Sequence, residues 1–205
     1  MSINNLEKAL VNILTVHGYL KDSELQNFIN EIKGDFSIGD QEVPFPTLFR
    51  NININFRKFS MEIKSIHLEN SNNDRVTYHS LVNTEEDYVS KEFGSAFSAH
   101  ELKYFGNMAI KLLEHKFLSS DDLVDLRPLD KMSRDEAQIF VQKLESNGWL
   151  RRNDSNYLIL GVRTQLELRS FLESTIRDSI DIDGTEEGQT QVNTIIDEMP
   201  QIIVY

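Results

Sequence analysis

Apolar residues along this chain follow a helical period, then a period of two, and then repeat that order. Leu6, Ala9, Leu10, Ile13 and Leu14 recur at helical spacing, and Gly18 is placed to end the helix with a positive φ. A second helix is predicted from about Asp22, with Leu25, Phe28, Ile29 and Ile32 on its apolar face and Gly34 as its stop. Asp35 to Pro46 reads as a loop, because its glycines mark turns and Pro44 and Pro46 lack backbone donors. A third helix is predicted over Thr47–Lys58, with Leu48, Phe49, Ile52 and Phe56 inward, although its Asn and Ile content makes it a poor helix former. Then Phe59, Met61 and Ile63 alternate with Ser60, Glu62 and Lys64, the signature of a half-buried strand. Glu69–Asp74 is a turn cluster, and Arg75–Val82 reads as the returning strand. Three helices followed by a hairpin is the winged-helix order.

The second half repeats it more clearly. Ser98-Ala99-His100-Glu101 fits a capping box opening a helix with Leu102, Phe105, Ala109, Leu112 and Leu113 on one stripe. Ser119 or Ser120 caps a short helix that must stop before Pro128. Ser133-Arg134-Asp135-Glu136 is a second capping box, and its helix runs through Ile139, Phe140 and Leu144 to Asn147-Gly148. Trp149-Leu150 and Tyr157–Leu160 read as a hairpin around Asn153–Asn156, and Gly161 leads into a closing helix with Leu166, Leu168, Phe171 and Leu172. The predicted fold is mainly α with small β-hairpins (α+β), as two tandem winged-helix domains at residues 1–90 and 91–177. Residues 178–205 are predicted to be an acidic flexible linker, and the final Ile-Ile-Val-Tyr to be a strand leading toward a further domain.

Composition narrows the chemistry. The chain has 205 residues, 40% of them hydrophobic, and no Cys, which removes disulfides, thiolate nucleophiles and cysteine-ligated zinc. No apolar run approaches the roughly 18 residues of a membrane span, and the N-terminus lacks a signal-peptide pattern, which fits a cytosolic or nuclear setting. The net charge is −12, and seven of the acids lie from Asp178 onward, where there is no Lys or Arg. A local basic face on the remaining body is therefore compatible with the total. The five His residues show no i, i+4 pairing, and Asp121, Asp122 and Asp125 open a helix, where acids complement the dipole. No catalytic, cofactor-binding or metal-binding residue is predicted, and Trp149 reads as a core anchor.

The residues best suited to touch DNA are Arg50, Arg57 and Lys58 on the third helix of the first module, where Asn51, Asn53 and Asn55 would reach base edges. Arg151 and Arg152 on the second hairpin are the other candidates. The corresponding helix of the second module carries Asp135, Glu136 and Glu145 against Arg134 and Lys143, a net negative balance that repels phosphate.

Several strings, in order, resemble the non-structural maintenance of chromosomes element 1 family, a subunit of the Smc five/six complex. They are His17–Leu20, Asn51–Asn53 leading into Met61–Lys64, Tyr78 with Leu81–Asn83, and Ser98–Leu102 with Phe105. The most characteristic are Phe140–Leu144 through Gly148–Leu150 and Tyr157–Gly161. The resemblance implies two winged-helix domains that pack against a MAGE-domain subunit, with a kleisin subunit completing a trimer for DNA repair, the DNA-damage response and recombination on nuclear chromatin. It also implies a zinc-binding RING finger that recruits a ubiquitin-conjugating enzyme and gives ubiquitin ligase activity. With no Cys after Tyr205, this sequence holds no RING ligand: either the RING has been removed or this member has none, and the abrupt apolar ending favours removal. The expectation is a non-catalytic scaffold with no cofactor of its own and weak or indirect DNA contact. The alternative is a sequence-specific winged-helix DNA-binding regulator.

Overall fold

Asn4 opens the first helix by accepting from the Glu7 amide at 2.8 Å, while its own N–H donates to the Glu7 carboxylate at 2.9 Å. This reciprocal cap starts α1 (Asn5–His17), and Gly18, at φ 74°, ends it by donating to Leu14 O. Residues Tyr19–Lys21 form a short strand, β1, before α2 (Asp22–Phe36), which runs past the Gly34 where the sequence suggested a stop. Helix α3 (Phe45–Phe56) starts two residues earlier than the pattern suggested. Pro46 is tolerated in its first turn, where helical amides lack partners anyway. A 3-10 turn (Arg57–Phe59) and Ser60 in the left-handed region lead into β2 (Met61–Glu69), which pairs with β3 (Arg75–Asn83).

In the second half, α4 (Ala99–His115), α5 (Ser120–Asp125) and α6 (Arg134–Ser146) begin at capping boxes built on Ser98, Ser119 and Ser133. Ser119, not Ser120, is the cap of the short helix. The hairpin is β4 (Leu150–Arg152) with β5 (Leu158–Leu160), and Leu118 bridges to Leu158 on the other side of β5. The closing helix is broken into α7 (Val162–Glu167) and α8 (Arg169–Ile180) at Leu168, a buried residue at φ −108° that no Gly or Pro announces.

The tail departs most from the sequence reading. Glu186–Glu198 forms a helix, α9, instead of a flexible linker, while Ile202–Val204 forms a strand, β6, where the sequence suggested one. Val192 and Met199 are buried, with Ile195 and Ile196 packed against the same core. The Arg169 guanidinium donates to the carbonyls of Ile196 and Pro200 at 3.2 and 3.1 Å, satisfying the open end of α9. Burial of that apolar stripe and this cationic cap outweigh the acidity of the segment.

The computed structural model describes residues 4–36, 44–69, 74–85, 97–180 and 186–205, so most of the loops expected at 35–46, 69–74 and 84–97 lie outside them. The architecture is α+β, and the chain divides into two units. Unit 1 is Met1–Glu85 with Gln201–Tyr205, and unit 2 is Glu86–Pro200. In unit 1 an antiparallel sheet in the order β1-β3-β2-β6 is covered by helices. Leu10, Leu14, Leu25, Phe49, Ile52 and Ile63 form the heart of its core. In unit 2 the core gathers Tyr104, Phe105, Met108, Phe140, Leu144 and Leu158, with Trp149 at its margin. No described helix is long and apolar enough to cross a membrane.

Candidate interaction surfaces

Helix α3 sorts its residues sharply. Leu48, Phe49, Ile52 and Asn53 point inward, and Arg50, Ile54, Arg57 and Lys58 are exposed. The positions 50, 54 and 57/58 stack on one helical face. Ile54 is 59% exposed and Phe59, just beyond the helix, is 63% exposed. Lys58 Nζ stands 4.9 Å over the Phe59 ring, and Arg57 Nε lies 3.7 Å from a Glu62 carboxylate oxygen. The outer face of α3 is thus a small apolar patch edged by cations.

The asparagines of this helix are not free to read bases. Asn53 is fully buried: it donates to Ile63 O at 3.1 Å and accepts from Ile63 N at 2.6 Å, which staples α3 to β2. The same amide donates to Tyr205 O at 3.3 Å. Asn51 donates to the buried Glu7 carboxylate at 3.3 Å, and Asn55 donates back to Asn51 O at 2.8 Å. For Asn53 the base-reading role expected from sequence is replaced by a structural one, because a side chain buried on the inner flank of α3 must satisfy polar backbone there, whereas Asn51 and Asn55 lie on the outer flank with partners of their own unit.

A second buried polar group in unit 1 is His79. Its Nδ1 lies 2.7 Å from Ser65 Oγ and its Nε2 3.0 Å from Asp22 Oδ1, with the Phe49 ring centred 4.9 Å away. Burial holds its pKa below the ordinary 6.5, against the raising effect of the Asp22 hydrogen bond and charge. Although the order Ser–His–Asp imitates a nucleophilic relay, Ser65 is fully buried and no substrate reaches its hydroxyl. The arrangement ties β2, β3 and the start of α2 together.

In unit 2 the predicted cations are largely engaged within the protein. Arg152 makes a two-pronged contact with Glu145 at 2.7 and 3.0 Å and also donates to Asn156 O. Arg151 is half-buried. On α6, Arg134 reaches Asp125 and Asp121, both at 2.7 Å, and Asp122 receives the Ser119 hydroxyl and amide. Asp121, Asp122 and Asp125 thus each accept from a donor of their own unit. Hydrogen bonds from Ser119 and Ser133 hold the Asp122 and Glu136 carboxyls below their usual range. Among the exposed residues of unit 2 are several large apolar ones: Leu129 is 77% and Ile139 65% exposed, and Phe117 and Tyr157 form an exposed ring pair with centroids 5.0 Å apart. The sequence reading named Ile139 in its helix and Tyr157 in its strand without giving either an exposed role, and it did not name Leu129 or Phe117.

No protein-family model matches the chain. It is 27% identical over 188 residues to the non-structural maintenance of chromosomes element 1 homolog of Mus musculus, spanning 87% of this chain and 67% of that protein. The Homo sapiens homolog is 25% identical over 189 residues, spanning 88% and 68%. The chain is a relative of the element 1 proteins. This element 1 relative also superposes on a chain of a solved structure titled "Nse1-Nse3-Nse4 complex" with a TM-score of 0.68, covering 87% of this chain and 77% of that one at 20% identity, a likeness of fold.

Proposed function

We propose that the chain is a non-catalytic docking region: two winged-helix modules of a subunit of the Smc five/six complex that seat on a MAGE-domain partner and a kleisin. The observation that carries this is the sequence kinship to element 1 proteins along 87% of the chain. The exposed Phe117–Tyr157 ring pair on unit 2 agrees with it, since paired exposed aromatic side chains suit a protein partner. The engagement of Arg134 and Arg152 by acids of their own unit also fits a protein-binding role better than a phosphate-binding one. Nuclear, chromatin-associated work in DNA repair goes with this reading. Ubiquitin ligase chemistry requires a RING finger with its zinc, and this sequence has no cysteine to build one.

The test is co-expression with the MAGE-domain and kleisin subunits, followed by size-exclusion chromatography in high salt. The proposal expects one stable complex that survives the salt. A chain that elutes alone beside its partners at micromolar concentration overturns it.

The second reading, a DNA-binding regulator, is favoured by one observation: Arg50, midway along α3, and Arg57 and Lys58 in the turn that follows it are all exposed. It requires affinity that falls steeply with salt and drops when the three become Ala. Salt-insensitive or absent DNA binding removes it.

A further inference from the structure

The free edge of β2 carries a strand drawn from the far end of the chain. Lys64, Ser65 and Ile66 pair antiparallel with Val204, Ile203 and Ile202, so β6 covers three of the nine residues of β2. The seat beneath this strand is built by other parts of unit 1. Asn53 holds Ile63 through both its amide N–H and its carbonyl oxygen, and the same Nδ2 reaches Tyr205 O. The Tyr205 ring packs on Phe49 with centroids 5.2 Å apart. The strand itself is held lightly, with Ile202 and Ile203 half-buried and Val204 47% exposed. A firm seat under a short, partly exposed strand has the make-up of a peptide-docking edge, where backbone bonds supply affinity and alternate side chains supply selection.

We propose that this edge of β2 is a strand-docking slot, closed in cis by Gln201–Tyr205 acting as a detachable clasp and open in turn to an extended apolar segment of a partner chain. The occupant's chemistry is read from the clasp: aliphatic side chains on consecutive extended residues, then an aromatic ring for the Phe49 seat with its carbonyl presented to Asn53. A partner strand longer than three residues gains further backbone bonds along β2, while the tethered clasp holds the slot through its high effective concentration.

Two measurements on the full chain decide the matter. In the unaltered protein, amide exchange at residues 202–204 should run faster than at the β2–β3 ladder; exchange only on unfolding of the whole unit would show β6 to be a fixed strand and overturn the proposal. In Ile203→Pro, which removes a strand donor, a fluorescent peptide Met-Pro-Gln-Ile-Ile-Val-Tyr should bind at least about tenfold more tightly than to the unaltered chain, because the tethered competitor is gone. The same peptide with proline in place of its second Ile should not bind. Equal binding of the peptide to both proteins, or binding to neither while circular dichroism shows Ile203→Pro folded, refutes a slot. Concentration-dependent dimers that exchange tails would assign the edge to a second copy and overturn the partner strand.

Discussion

Unit 1 and unit 2 solve the same problem with different materials. Unit 2 fixes its elements locally: three serines each cap a helix with an acid three residues on, and the space between is filled almost entirely by apolar side chains. One of its buried hydroxyls, that of Tyr104, donates to Leu123 O at 2.8 Å, and burial pushes its pKa up to about 12. Unit 1 fixes its elements at long range through buried polar groups: Glu7 with Asn51, Asn53 with Ile63 and Tyr205, His79 with Asp22 and Ser65, and Ser80 with Gly18 O at 2.6 Å. A buried polar network is sound only when every member is satisfied, so unit 1 should be the more sensitive to single polar changes and to acid.

The largest expected effect tests whether the two units are separable. Phe49→Ala and Phe140→Ala should each cost about 3–5 kcal/mol, the range for truncating a buried Phe. Hydrogen exchange should show protection lost in unit 1 for the first and in unit 2 for the second; equal loss in both would mean one cooperative block. Next, Asn53→Ala leaves the N–H and carbonyl of Ile63 unsatisfied and should cost about 1–3 kcal/mol by denaturant titration. Asn51→Ala, on the exposed flank, should stay within about 0.5 kcal/mol.

The pH dependence sharpens the contrast further. Burial depresses the folded-state pKa of His79, so the neutral ring favours the fold. Its contribution is complete above pH 6.5 and is lost as the pH falls toward the folded value. The depressed carboxyls of unit 2, Glu101, Asp122 and Glu136, likewise contribute above the ordinary carboxylate range and are lost only below it. For Glu101 partial burial pushes upward, but hydrogen bonds from Ser98 prevail. Acid titration followed by NMR should therefore unfold unit 1 first, and His79→Gln should narrow the gap. Simultaneous unfolding near pH 4 would contradict this. The smallest change, Ser133→Ala, removes the cap of α6 and should cost about 1 kcal/mol, read as a lower melting temperature of unit 2.

The same difference explains what the sequence could tell. Capping boxes are legible because both partners lie within four residues, so Ser98-x-x-Glu and Ser133-x-x-Glu placed two helices correctly. Asn53 could not be read this way: its partners are a backbone ten residues on and a carbonyl at Tyr205, and composition alone made it look like a reader of bases. Helix α9 was legible in part, since Val192, Ile195, Ile196 and Met199 have helical spacing, but the run of acids masked it. Strand β1 is three residues long, too short for a period of two to declare itself, whereas the aliphatic run at Ile202–Val204 was legible as a strand but its pairing with β2 was not. Of the five cations proposed to meet DNA, Arg50, Arg57 and Lys58 are exposed, whereas Arg152 is gripped by Glu145, a contact that depends on the hairpin folding back on α6 and has no local signature.

Because β6 is drawn from residues 202–204, the sheet that opens with Tyr19–Lys21 is finished only after the whole of Glu86–Pro200 has been made. During synthesis, the amino-terminal unit lacks its edge strand until everything between has emerged, whereas the described elements of Glu86–Pro200 follow one another without interruption and can condense as a set. The order of birth and the order of completion are thus inverted. Limited proteolysis of ribosome-stalled nascent chains would register that inversion as late-acquired resistance in the first eighty-five residues.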